Sequence, residues 1–292
     1  MGPSHASRVI AFILAGLLIA LVGCGDGGDA ATSTAANTTP SPGATSAGDE
    51  NPDGVIKIDG NRSLYVRCTG TGSPTVIMEG GDEDTSDSYS FAEPSIAEVT
   101  RVCVYDRANL GRSDPDPGPR GLSELVGDLE RLLRTARIPG PYILVGTSGG
   151  GFITAGYVVA HPRQVAGMVF IDTGAPFRDP PSEIVEATDP NNPANVEHRD
   201  YLQVEKDVWA ARKRIGDVPV RIVSVKYSDA AINEAEFPSE RRGMRRNVEN
   251  QKGWLVLSLR AEQIVVHTSH AVEEDDPELV IDVILDVVKA TR

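Results

Sequence analysis

The chain has 292 residues, which suffices for one large α/β domain or two small ones. Hydrophobic residues make up 40% of it and charged residues 24%, the composition of an ordinary globular protein. A formal net charge of -14 argues against nucleic acid as a partner, because proteins that bind nucleic acid present a basic surface to the phosphates. The same charge disfavours the steering of anionic substrates.

The N-terminal residues have the pattern of an export signal. Arg8 is the one charged residue among the first 23, and an apolar run of fourteen residues follows it, Val9 to Val22. This run is short for a membrane span and has the length of a signal-peptide core. It ends in Leu-Val-Gly before Cys24, which resembles the lipobox of bacterial lipoproteins, where the cysteine carries lipid after cleavage.

The resemblance implies a signal peptide over residues 1–23, a lipid on Cys24 and an extracytoplasmic protein held at the cell membrane by that anchor. An uncleaved signal anchor, or a plain signal peptide with an idle cysteine, remains an alternative, and both also place the protein outside the cytoplasm. Residues 25–53 are rich in Gly, Ala, Ser, Thr, Pro and Asp and contain no large apolar side chain. We therefore expect residues 24–53 to form a disordered tether and residues 54–292 to form the folded domain.

From residue 54 onward, short apolar runs alternate with turn residues. The runs predict eight strands, at 55–58, 64–67, 75–78, 102–105, 143–145, 168–171, 220–225 and 264–266. Apolar residues at helical spacing predict helices over 122–136 and 150–160 and a last helix that starts at Pro277. Strands that alternate with helices indicate an α/β fold, with a mostly parallel eight-stranded sheet, helices on both faces and an antiparallel hairpin at its start. Residues 174–217, rich in Pro, Asp and Glu, interrupt the alternation and predict a small polar, lid-like insertion.

Ser148 is the candidate nucleophile. It lies in Gly146-Thr147-Ser148-Gly149-Gly150, which matches G-x-S-x-G between an apolar strand and an apolar helix. This arrangement is typical of a nucleophile elbow, a sharp turn that exposes a serine at the edge of a sheet. The helix that follows directs backbone N–H groups and its positive dipole end toward an oxyanion formed there.

A nucleophilic serine needs a base, and two of the five histidines, His267 and His270, follow the last predicted strand. The loop after that strand lies at the carboxyl edge of the sheet, where Ser148 also lies. His270 is further from the strand end, and we therefore favour it as the base over His267, which is expected to be a packed or supporting residue.

Four segments together resemble the α/β-hydrolase superfamily, and specifically its exported bacterial esterase-like members. The resemblance spans nearly all of residues 54–290. The segments are Glu79-Gly80-Gly81 after the third strand, Tyr105-Asp106-Arg107 with Gly111-Arg112-Ser113, the Pro141–Gly150 run, and His270 with Pro277, Glu278 and Val280. Two positions depart from the common pattern: Thr147 precedes the nucleophile, and Glu79 stands where many members have His.

The resemblance implies a catalytic triad in the order serine, acid, histidine. Asp229 follows the seventh strand, the usual position of the acid, and is preferred. Asp172 follows the sixth strand, which some members use instead, and is the alternative. The resemblance also implies an oxyanion hole formed by the backbone N–H groups of Gly149 and Gly81, and an Asp106–Arg107 ion pair that braces the loops.

In this superfamily the second strand lies antiparallel beside the fourth, which implies a disulfide between Cys68 and Cys103. No metal or cofactor motif is expected, since the chain has neither a CxxC pair nor two histidines at helical spacing on a predicted helix. The sequence thus predicts a serine hydrolase that cleaves a small carboxylic ester or related acyl compound. The alternatives are a peptidase of the proline-iminopeptidase kind, which usually carries a larger helical cap, and a surface lipoprotein that binds a ligand or partner on a hydrolase scaffold.

Overall fold

The computed structural model describes residues 51–177 and 189–292. The predicted signal peptide, the candidate lipid site Cys24 and nearly all of the predicted tether lie outside the described residues. The folded part begins slightly before residue 54, the predicted start of the domain: Asn51 donates a side-chain hydrogen bond to the carbonyl of Gly70 at 2.8 Å, and the first strand starts at Asp53. In the described ranges, no helix combines the length and apolar character needed to cross a membrane.

Eight strands form one open, twisted sheet in the order β1-β2-β4-β3-β5-β6-β7-β8. β2 runs antiparallel to β1 and β4, and the other neighbours are parallel. The predicted strands are all present with small shifts of their ends. Their bounds are β1 Asp53–Lys57, β2 Ser63–Thr69, β3 Thr75–Glu79, β4 Val102–Tyr105, β5 Tyr142–Thr147, β6 Val165–Ile171, β7 Pro219–Val225 and β8 Arg260–Val266.

Helices cover both faces of this sheet. Their bounds are α1 Glu93–Ala97, α2 Leu122–Thr135, α3 Gly150–Ala160, α4 Tyr201–Ala211, α5 Asp229–Glu234, α6 Pro238–Gln251, α7 Val272–Asp275 and α8 Pro277–Ala290. The apolar stripe of α2 and the apolar α3 pack on one face, and α1 and α8 pack on the other, so two hydrophobic cores sandwich the sheet. This architecture brings the carboxyl ends of the parallel strands to one edge, where the predicted site residues follow β3, β5, β6, β7 and β8.

The insertion between β6 and β7 is only partly the polar lid that its composition predicts. Of residues 174–217, the structure describes 174–177 and 189–217, and the latter contain α4. Val204 and Val208 on α4 are buried in the same core as α2 and α3. Two further residues of the insertion, Glu197 and Arg199, are almost completely buried although both are charged. The described part of the insertion is therefore anchored in the domain.

Candidate active site

The sharp turn between β5 and α3 holds Ser148 at the carboxyl edge of the sheet. Its φ of 48° lies in the left-handed region, which a residue other than glycine adopts only when the surrounding fold imposes it. Gly146 is required on the strand side, because a Cβ there would lie 2.6 Å from the Cα of Gly151. The local geometry is that of the nucleophile elbow predicted from the G-x-S-x-G pattern.

Three side chains form a continuous hydrogen-bonded row at this turn. The Nε2 atom of His270 lies 2.9 Å from the Oγ of Ser148. On the other side of the ring, Nδ1 lies 2.7 Å from the Oδ2 of Asp172. A neutral imidazole with its proton on Nδ1 can donate to the carboxylate and accept the serine proton at Nε2, which is the arrangement of a serine–histidine–acid triad.

The carboxylate in this row is the alternative, Asp172, and the preferred Asp229 is elsewhere. The side chain of Asp229 is 91% exposed, and its Oδ1 lies 3.7 Å from Nη1 of Arg245. The reason is local: after β7 the chain starts helix α5, whose N-cap Ser228 accepts the Ala231 N–H, so that Asp229 occupies the first turn of the helix. Asp172 directly follows β6, in a left-handed conformation with φ of 42°.

Asp172 is buried and surrounded by donors that favour its ionised form. Its Oδ1 accepts the Val225 N–H at 3.0 Å and the side-chain amides of Asn247 and Gln251, each at 2.7 Å. Its Oδ2 accepts the hydroxyl of Tyr227 at 2.8 Å. Burial raises the pKa of Asp172, but the contact with His270 and these donors outweigh burial, so that its pKa is lowered overall.

Asn247, Gln251 and Tyr227 were not recognised from the sequence. Asn247 and Gln251 belong to α6, in which Met244 and Val248 are nearly the only apolar residues, so the helix has no apolar periodicity to reveal it. A weak signal existed for Tyr227, which lies just after β7, where the usual acid of this fold would stand.

The pKa of His270 is raised above its ordinary value. Burial lowers the pKa of this ring, but the hydrogen bond and negative charge of Asp172 raise it by more. An imidazole made more basic in this way is a better acceptor for the Ser148 proton. His267, the other candidate, is exposed, and in the described ranges it makes no recorded contact with the serine or the acid.

The two backbone donors implied for an oxyanion differ in their availability. The N–H of Gly149 has no recorded acceptor in the described part of the chain. Gly81 lies beside Ser148, since a Cβ on it would approach the Cβ of Ser148 to 3.4 Å. Its N–H, however, donates to the Oδ2 of Asp84 at 2.9 Å. In this structure one predicted donor is therefore open and the other is engaged by a carboxylate.

A buried charged cluster lies under the Gly80–Asp82 loop. Glu79 is fully buried; its carboxylate accepts the Tyr105 hydroxyl and lies 2.8 Å from Nη1 of Arg107. These contacts explain how a glutamate is accommodated in the interior at this position. The Asp106–Arg107 ion pair expected from the sequence is absent, because Arg107 contacts Glu79 and Glu197, while Asp106 accepts from Ser86 and Arg112.

The disulfide implied between Cys68 and Cys103 is present in the structure. The two residues face each other in the antiparallel pair of β2 and β4, with their Cα atoms 4.1 Å apart. The bond joins residues that are 35 apart in sequence, and it links β2 of the antiparallel hairpin to β4, which begins the parallel part of the sheet.

The sequence profile of the family described as alpha/beta hydrolase fold matches residues 74–220, half of the chain. The match includes the elbow with Ser148 and the strand that leads to Asp172. The chain belongs to this family. His270 lies beyond the matched range, and its hydrogen bonds in the structure connect it to Ser148 and Asp172.

Relatives and solved structures agree with this assignment. The chain is 23% identical over 235 residues to the uncharacterized protein YqjL of Bacillus subtilis, covering 79% of this chain and 89% of that protein. It spans only 20%, 27% and 32% of three other curated relatives. A thermophilic esterase from Thermogutta terrifontis superposes with a TM-score of 0.56 at 18% identity, over 81% of this chain and 98% of that one. The enol-lactonase from Burkholderia xenovorans LB400 superposes with a TM-score of 0.57 at 15% identity, over 80% and 99%. At such identities the two structures establish the fold alone.

Proposed function

We propose that the protein is a serine hydrolase that cleaves a carboxylic ester, or a related acyl compound, through an acyl-enzyme on Ser148. The observation that carries the proposal is the row Ser148–His270–Asp172, with contacts of 2.9 and 2.7 Å at the carboxyl edge of the sheet. A thermophilic esterase and an enol-lactonase are among the solved structures with this fold, which is consistent with ester chemistry.

In the proposed reaction, the Oγ of Ser148 attacks the acyl carbon as Nε2 of His270 takes the hydroxyl proton. The N–H of Gly149 stabilises the negative charge that develops on the carbonyl oxygen. The intermediate collapses when His270 returns that proton to the leaving alcohol, and the acyl group stays on the serine. Water then attacks the acyl-enzyme and gives a proton to His270. As the acyl–Oγ bond breaks and the carboxylic acid leaves, His270 returns that proton to the Oγ of Ser148. Asp172 stays ionised and holds the ring in the required tautomer.

The test is reaction of residues 51–292 with a fluorophosphonate probe, followed by hydrolysis of short-chain p-nitrophenyl esters. Ser148→Ala and His270→Ala are expected to abolish labelling and to lower kcat/KM by at least about 10⁴-fold. The exposed His267→Ala serves as the matched control and is expected to retain labelling. Absence of labelling in folded wild-type protein would contradict the proposal and favour a ligand-binding protein. Labelled protein that cleaves a prolyl anilide but no ester would favour the peptidase alternative.

We also propose that the enzyme is exported and anchored to the cell membrane through lipid on Cys24. The apolar run before that cysteine supports this location, and a disulfide between Cys68 and Cys103 is compatible with an oxidising compartment. Metabolic labelling with a radioactive fatty acid in a bacterial host is expected to mark the wild-type chain and not Cys24→Ala. Equal labelling of both chains, or of neither, would contradict the anchor.

A further inference from the structure

Two residues of the insertion lie under the catalytic turn, although no motif points to them. Glu197 and Arg199 are 1% and 0% exposed. The carboxylate of Glu197 lies 2.7 Å from Nε and 2.7 Å from Nη2 of Arg107, and 3.3 Å from Nη2 of Arg199. The carboxylate of Glu197 thus pairs with two arginines: Arg107 in the loop after β4 and Arg199 in the insertion itself.

The first of these arginines fixes the loop after β3. Arg107 donates to the carbonyl of Gly80 at 2.7 Å and to that of Gly81 at 2.6 Å. In a planar trans peptide the C=O and N–H groups point in opposite directions. Holding these two carbonyls therefore directs the N–H groups of Gly81 and Asp82 away from Arg107. Gly81 lies next to Ser148.

The second arginine fixes the other side of the site. Arg199 donates to the carbonyl of Gly149 at 3.2 Å and to the Oδ1 of Asp82 at 2.8 Å. It therefore contacts both the N-cap of α3, which directly follows Ser148, and the loop after β3. These two segments already touch, since a Cβ on Gly150 would lie 2.2 Å from the carbonyl oxygen of Gly80. The arginine thus bridges the two segments.

Stability alone is a poor reason for such a cluster. A buried ion pair gains little net free energy over apolar residues of similar volume, because desolvation of the charges offsets their attraction. The cluster does provide directional donors to three backbone carbonyls around one point. An oxyanion must be met by donors at fixed positions, and this directional bonding fixes the backbone on both sides of Ser148.

We infer that Glu197 and Arg199 are positioning residues for the oxyanion hole. Glu197 acts through Arg107, and Arg199 acts through its own contacts with Gly149 and Asp82; together they set the separation of the Gly80–Asp82 loop from the Gly149 turn. The inference rests on the proposed hydrolase function. It assigns to the insertion a role in transition-state stabilisation, in addition to any effect on substrate access. Neither residue touches the substrate, so their loss affects the transition state more than substrate binding.

The test compares Glu197→Gln with wild type in the full-length chain, using p-nitrophenyl butyrate and phenylboronic acid. The boronic acid forms a tetrahedral adduct on the serine and reports on the oxyanion hole. We expect kcat to fall by about 10- to 100-fold with KM changed less than about 2-fold. The affinity for the boronic acid is expected to fall by a similar factor. Arg199→Lys is a second variant, which retains the positive charge but loses the planar guanidinium group and its several N–H donors. It is expected to show the same fall in kcat and in boronic acid affinity, with little change in KM.

Glu93→Gln is the matched control, because Glu93 is also a buried carboxylate held by one arginine, Arg67, but it lies on α1. It is expected to lower Tm comparably and to leave kcat and boronic acid affinity unchanged. The inference would be overturned if folded Glu197→Gln had the kcat and the boronic acid affinity of wild type. It would also be overturned if the variant changed KM alone, or if its kcat fell no more than that of Glu93→Gln. Wild-type protein that neither hydrolyses esters nor labels with fluorophosphonate would overturn the proposed function itself, and the inference with it.

Discussion

Oδ2 of Asp172 lies 2.7 Å from Nδ1 of His270, although 98 residues separate the two in sequence and their strands, β6 and β8, are not neighbours in the sheet. β7 lies between them, and its extension past Val225 supplies Tyr227, whose hydroxyl lies 2.8 Å from the same carboxylate oxygen and 3.5 Å from the histidine. The contact between Asp172 and His270 therefore spans β7, and Tyr227 from the end of that strand contacts both side chains.

The identity of the acid gives the first prediction. Asp172→Asn is expected to lower kcat/KM by about 10⁴-fold, because an amide cannot hold the tautomer of His270 that leaves Nε2 free to accept a proton. Asp229→Asn is the control; its side chain is 91% exposed, and activity is expected within about 2-fold of wild type. Ester hydrolysis by the purified variants is the measurement. A large loss of activity in Asp229→Asn, with little loss in Asp172→Asn, would instead indicate Asp229 as the acid.

The pH dependence follows from the direction of the His270 shift. The neutral ring is the base, so kcat/KM falls as the pH decreases through the pKa of His270. Since Asp172 raises that pKa, the acid limb of the profile is expected at a higher pH than the value of about 6.5 for an ordinary histidine. In Asp172→Asn, any residual activity should have its acid limb at lower pH than in wild type. A wild-type limb below the ordinary value would show that burial of the ring dominates.

Tyr227→Phe removes one donor from the carboxylate of Asp172. With fewer donors to share its charge, the carboxylate becomes a stronger partner for His270, so the acid limb should move to higher pH than in wild type. One hydrogen bond contributes about 1 kcal/mol, so kcat/KM at the plateau is expected to change by less than about 10-fold. A full pH profile distinguishes this effect from simple misfolding, which would lower the rate at every pH without moving the limb.

Much of the fold could be predicted because its strands are short apolar runs between turn residues. β3 and β5 are buried along their whole length, and such strands are apolar at nearly every position. Helix α6 was missed for the opposite reason: it is polar almost throughout and is held by specific contacts, such as the one between Gln251 and Asp172. Periodicity detects helices that bury an apolar stripe, and α6 has none.

The hydrogen-bonded pair of Ser148 and His270 could be predicted because each residue has a local signal, a strand–turn–helix pattern for Ser148 and a loop after the last strand for His270. The carboxylate that joins them could not be decided, because Asp172 and Asp229 both follow strands, and the choice depends on whether the chain beyond the strand turns inward or starts a helix. Glu197 had no local signal, since its main partner, Arg107, is 90 residues away in sequence.

The carboxylate of Asp84 gives a prediction about the oxyanion hole. It accepts the N–H of Gly81, and a negative charge there opposes the charge that develops on the substrate oxygen. Asp84→Ala is expected to free this donor and to raise kcat by about 10-fold. Asp87→Ala, which removes an exposed charge nearby and leaves the Gly81 contact intact, should change kcat by less than about 2-fold. A lower kcat in Asp84→Ala would mean that the carboxylate is needed to hold the loop.

The disulfide between Cys68 and Cys103 gives a prediction about stability. A bond that closes 35 residues of separation restricts the unfolded chain by about 4 kcal/mol in the chain-entropy description. The double variant Cys68→Ala with Cys103→Ala is therefore expected to melt about 10 °C below the oxidised wild type. Wild type in reductant is the matched comparison and should show a similar loss. Because the bond lies on β2 and β4, away from the elbow, kcat at 25 °C should be retained, and equal Tm values in all three samples would show that the bond contributes nothing to stability.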